Sequence, residues 1–95
     1  DSPQGAQDAL ETLRVAQRTE GDAPMVWTLS AQAYGKLGQI PRAELATAQA
    51  ALLRGDRQLA MTKAKTALAA FPQNSPEWLK ANDILTFAKR STDEE

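Results

Sequence analysis

Helix-ending and helix-starting residues recur along this chain at a fixed step of 17 positions. Pro24 and Pro41 are 17 apart, as are Gly38 and Gly55, and Ala43 and Ala60. Wider spacings keep the same step: Ala9 to Ala43 spans 34 positions and Trp27 to Trp78 spans 51. Seventeen residues is one helix plus its turn, so 34 is one helical hairpin. A chain built on that unit stacks hairpins, and each hairpin buries its apolar face only against the next.

Four stop signals divide the sequence: Gly21-Asp22-Ala23-Pro24, Gly38-Gln39-Ile40-Pro41, Gly55-Asp56 and Phe71-Pro72-Gln73-Asn74-Ser75-Pro76. Glycine closes a helix because it enters the left-handed cap without a steric cost, and proline opens the next because its missing N–H has no partner in the first turn. Asp56 and Ser75 are suitable N-caps. Five helices are expected, at about 6–20, 24–37, 41–54, 56–71 and 76–90. Residues 1–5 are expected to be a disordered leader, and 91–95 an acidic frayed tail.

Each segment carries apolar residues at helical spacing: Ala9, Leu13 and Ala16; Trp27, Ala31 and Tyr34; Ala60, Ala64, Ala67, Leu68 and Phe71; Trp78, Ala81, Leu85 and Ala88. The segment 41–54 is apolar on two stripes, one with Leu45, Ala48 and Leu52 and one with Ala43, Ala46, Ala50 and Leu53. It should be sandwiched between neighbours. The connections are too short for anything but antiparallel neighbours, and nothing reads as a strand. The expected fold is all-α, a right-handed α-solenoid of antiparallel helix hairpins. A plain five-helix bundle is the competing architecture.

Composition narrows the chemistry. The 95 residues include no cysteine and no histidine, which removes disulfides, thiol nucleophiles and thiolate or imidazole metal sites. Without histidine the usual nucleophile–base pairing has no base, and the carboxylates are scattered or sit in the Asp93-Glu94-Glu95 terminus. No apolar run approaches the roughly 20 residues that span a bilayer. The chain opens at Asp1 without methionine or a signal peptide, and reads as a piece of a longer protein. Charge is uneven: residues 1–35 hold two basic and five acidic side chains, whereas residues 36–90 hold nine basic and four acidic ones. An ordinary solvated surface accounts for the basic part; as a docking face it suits an acidic partner better than nucleic acid, because the aromatics fall at core spacing.

The residues resemble the tetratricopeptide repeat, whose unit is 34 residues. Trp27, Ala31, Tyr34, Gly38 and Ala43 match the first half of that pattern, and Gly55, Ala60, Ala67-Leu68 and Pro72 match the second. Trp78 falls where a further repeat would begin. The pattern departs at 41–54, which would have to be the second helix of one repeat and the first of the next, so which of its faces lines a groove stays open. The resemblance implies a concave surface lined by first helices. Carried onto this chain, the candidate partner-binding groove is Met25, Thr28, Gln32, Lys36, Arg42 and Gln49, with Leu45 beside them and Leu79, Asp83 and Phe87 on the last helix.

A narrower resemblance rests on Ala33-Tyr34-Gly35-Lys36-Leu37-Gly38, on Ala48 through Asp56, and on the run from Phe71 to Leu85. These are similar to the carboxy-terminal repeat region of BepA-like periplasmic zinc metallopeptidases of bacteria. That resemblance implies a non-catalytic protein-binding region, with zinc held in an upstream HExxH peptidase domain and no cofactor in this chain. It implies partners among proteins or peptides, including the parent protease domain and outer-membrane assembly proteins, and a periplasmic location. A stand-alone adaptor, cytoplasmic and with no enzyme attached, is the alternative; an HExxH helix in the upstream coding sequence separates the two. Neither reading calls for nucleic acid or for a membrane span.

Overall fold

The structure, a computed structural model, describes residues 2–93, with side chains as far as Arg90. Five helices follow in order: α1 (Pro3–Thr19), α2 (Pro24–Lys36), α3 (Ile40–Arg54), α4 (Arg57–Ala70) and α5 (Pro76–Asp93). No strand occurs among the described residues. The all-α, repeat-like fold expected from the 17-residue step is therefore the fold observed.

Local chemistry explains each boundary. Gly38 and Gly55 sit at φ +74° and +82°, the left-handed region that side chains with a Cβ disfavour. The Asp56 carboxylate caps α4 by accepting from the Leu59 N–H at 3.2 Å, and the Ser75 hydroxyl caps α5 by accepting from the Trp78 N–H at 3.2 Å. Proline stands in the first turn of α2 and α3. The same device starts α1 earlier than expected: the Ser2 hydroxyl accepts from the Gly5 N–H at 3.1 Å and Pro3 opens the helix, so residues 3–5 are helical. At the other end α5 continues to Asp93, and Glu94 and Glu95 lie outside the described residues.

The helices pack in chain order, α1 on α2, α2 on α3, α3 on α4 and α4 on α5, and α3 also meets α5 directly. Helix α3 is the sandwiched one. One stripe, with Leu45, Ala48 and Ala51, joins Ala60, Ala64 and Ala67 of α4 and Ala81, Ile84 and Ala88 of α5 in the main core. Another stripe, with Ala46 and Ala50, packs on Trp27 of α2, with Tyr34 half-buried against them. Alanine at nearly every contact lets the helix axes close in, since the interaxial distance depends on the side chains between them.

Helix α1 departs from the expected register. Ala6 and Leu10 are its buried residues, while Ala9 is exposed and Leu13 and Ala16 are half-buried. It packs on α2 alone, so its buried stripe is narrow and its direction follows one neighbour.

This packing predicts a steep penalty for added volume. Ala64 is fully buried between α3 and α5. Ala64→Leu should lose about 1–3 kcal/mol in urea unfolding, whereas Ala69→Leu on the exposed side of α4 should change stability by less than about 0.5 kcal/mol.

Candidate functional site

The three-dimensional arrangement divides the sequence-predicted groove residues between two hollows. The first, about 570 Å³, lies between α1 and α2 and is lined by Leu13 and Ala9 on one side and Leu29, Gln32 and Lys36 on the other. The second, about 180 Å³, has α3 as its floor, through Arg42, Leu45 and Ala46. Its walls are Trp27 and Tyr34 of α2 and Glu77 and Lys80 of α5, with Gln17 of α1 closing one end. Gln32 and Lys36 thus share one surface, and Arg42 belongs to another.

The remaining predicted residues line neither hollow. Met25 is exposed, Gln49 is half-buried, and the Thr28 hydroxyl accepts a hydrogen bond from Arg54 Nη2 at 2.9 Å. On α5, Leu79, Asp83 and Phe87 are all exposed on the side away from the core. The physical reason for the division is helical spacing on α2: Trp27, Ala31 and Tyr34 turn toward α3, whereas Gln32 and Lys36 lie on another face of the helix, which opens toward α1. Leu45, placed beside the groove in the sequence, is mostly core and shows only its edge.

The second hollow gathers the richer set of polar groups. Arg42 Nη1 donates to Glu77 Oε2 at 3.0 Å, and its guanidinium also lies 5.7 Å from the centroid of the Phe71 ring. Lys80 Nζ sits 4.7 Å from the centroid of the Trp27 ring, reaching across α3 from α5 to α2. Two cations and one carboxylate therefore surround a floor of Leu45 and Ala46. The Arg42–Glu77 pair is partly exposed, with 42% and 30% of the two side chains open to solvent, so it contributes at most about 1 kcal/mol. A ligand carboxylate competing for Arg42 displaces a weak contact.

Polar contacts inside the fold hold these walls in place. The Trp27 indole N–H donates to the Gly21 carbonyl at 2.8 Å, which fixes the ring that Lys80 covers. Gln17 Nε2 donates to the Ser30 hydroxyl at 2.8 Å, and that hydroxyl donates to the Val26 carbonyl at 2.8 Å. Ser30 is fully buried, so this chain of bonds pins α1 to α2 at the end of the hollow. Gln17, Glu77 and Lys80 were not among the sequence-predicted groove residues. Glu77 and Lys80 carried a signal: they share an edge of α5 three residues apart, at the start of a helix whose apolar stripe identifies its buried side.

Among the described residues, no three His, Cys, Asp or Glu side chains converge as metal ligands would. Nor is any described helix long and apolar enough to cross a membrane. Compared with protein-family models, curated proteins and solved structures, the chain finds no match.

The Gln17–Ser30 bond can be tested directly. Gln17→Ala should cost about 1 kcal/mol, the usual net worth of such a bond. It should also speed amide exchange in α1 while leaving exchange in α3 and α4 unchanged, because α1 has no other helix to hold it.

Proposed function

We propose that the chain is a protein-binding module of the tetratricopeptide type, and that the hollow floored by α3 takes an acidic segment of a partner protein. The observation that carries this reading is the placement of Arg42 and Lys80 around an apolar floor, with Tyr34 and Trp27 forming one wall. A carboxylate entering there gains charge-assisted hydrogen bonds from two cations, while an adjoining aliphatic group rests on Leu45 and Ala46. The excess of basic side chains over residues 36–90 steers an acidic partner toward the same side.

The resemblance of residues 33–38, 48–56 and 71–85 to the repeat region of periplasmic zinc metallopeptidases supports a narrower reading. In it, the chain is the non-catalytic end of such a protease and recruits substrates or partner proteins to it. Zinc and the catalytic residues then belong to another part of the parent protein. An adaptor without an enzyme uses the same hollow in the same way, and the parent coding sequence distinguishes the two by the presence of an HExxH helix.

Fluorescence anisotropy with labelled acidic and basic peptides of equal length tests the binding mode. The acidic peptides should bind more tightly, and Arg42→Glu combined with Lys80→Glu should weaken them at least tenfold. Both side chains reach solvent, so the double variant should remain folded, which circular dichroism and urea unfolding check. Equal binding of both peptide classes, or unchanged affinity in the folded double variant, overturns the assignment.

A further inference from the structure

The hollow floored by α3 already holds an anion of its own. Glu77 lies in the first turn of α5 and Arg42 in the first turn of α3, so the positive ends of two helices meet at this place. Glu77 Oε2 answers that field by accepting from Arg42 Nη1 at 3.0 Å. On its own helix Glu77 stands three residues before Lys80, which makes the two side chains neighbours on the α5 surface. One carboxylate therefore lies beside each of the two cations of the hollow. The rest of the lining, Gln17, Trp27, Tyr34, Leu45 and Ala46, brings neither carboxylate nor cation. The balance is two positive charges against one negative, a single net positive charge.

On the reading that this hollow is the docking site, we propose that Glu77 determines which acidic segments it accepts: those that offer one carboxylate with a basic side chain next to it. The carboxylate of the segment takes the place of Glu77 at Arg42 and draws on Lys80 as well. Glu77 then loses the donor it had. Its side chain is only 30% exposed, so water replaces that bond incompletely. A lysine or arginine beside the docking acid restores the lost partner, and one ion pair becomes two. A run of acids does the opposite, because its second carboxylate falls beside Glu77 with no cation left to meet it. Specificity built in this way comes from an unpaired charge in the wrong complex as much as from contacts in the right one.

A tie between α3 and α5 does not require Glu77. Those helices already bring Leu45 and Ala48 together with Ala81, Ile84 and Ala88 in the main core. A pair with 42% and 30% of its side chains exposed adds little to that. The influence of Glu77 therefore falls on binding, where Arg42 is the group in contention.

Fluorescence anisotropy with two acidic peptides of the same composition tests this. Each carries several glutamates, a serine spacer and one lysine. In the first the lysine follows the central glutamate; in the second it stands at the end, behind the spacer. Long-range steering is the same for both, so a difference reports what lies next to the docking acid. The wild-type chain should bind the first peptide about threefold more tightly or better. Glu77→Gln should bind the two peptides equally, and should take the second more tightly than the wild type does. Glu77→Ala, which also removes the charge, should behave in the same way. Circular dichroism checks that both variants are folded. The proposal is overturned by a wild-type chain that binds both peptides equally, by a preference that persists in the Glu77 variants, or by variants that lose the fold, which makes Glu77 a packing residue. Equal wild-type binding that is lost in Arg42→Glu with Lys80→Glu leaves the hollow as the docking site and removes only the role of Glu77. Binding of neither peptide overturns both.

Discussion

Close approach of α3 to its neighbours through alanine is the constraint on which the rest of this structure depends. Ala46, Ala48, Ala50 and Ala51 are all buried, and they face in more than one direction. A larger residue on either stripe would push away α2 or the α4–α5 pair. Because α3 is held from both sides, its N-terminal end is a rigid floor, and the Arg42 side chain starts from a fixed backbone. The site on this protein is thus a consequence of packing around one helix, with side chains from α2 and α5 added at its rim.

The aromatic residues do different work at different depths. Trp27 is buried and hydrogen-bonded, so it connects α2 to α3 and at the same time offers a ring face to Lys80. Phe71, half-buried at the end of α4, packs against the main core and carries the Arg42 guanidinium near its ring. The two cations of the hollow are therefore each supported by an aromatic that belongs to the core. Supports of this kind restrict the rotamers that long side chains adopt and reduce the ordering a ligand must impose.

Helix number, order and most boundaries were legible in the sequence, because glycine and proline act locally. Gly38, Gly55 and the prolines set backbone geometry whatever lies around them. The start of α1 was missed although its signal, Ser2 before Pro3, was of the same local kind. Its face was misread for a different reason: a helix with one neighbour needs only a narrow buried stripe, and Leu10 with Ala6 fills it as well as Ala9 with Leu13 could. The candidate groove was legible only in part. Arg42 was found because α3 is fixed by its stripes, but grouping it with Gln32 and Lys36 failed, because those two lie on a face of α2 other than the Trp27–Tyr34 face that packs on α3. Glu77 and Lys80 join the site through the direct contact of α3 with α5, a relation between elements far apart in sequence.

The distribution of contacts also separates the chain into parts of unequal rigidity. Helices α3, α4 and α5 share one core cluster, α2 is bound to it through Trp27 and its alanine partners, and α1 is bound to α2 alone. Opening α1 exposes little of the main core, so its free energy lies well below that of unfolding the whole chain. Gln17, at the end of the hollow, moves with α1, whereas Arg42 and Lys80 stay with the rigid trio. Motion of α1 therefore alters access to the hollow without displacing the cations in it. A fold assembled by adding one helix after another produces this gradient without any dedicated hinge, because each helix is only as firmly held as the number of neighbours it has.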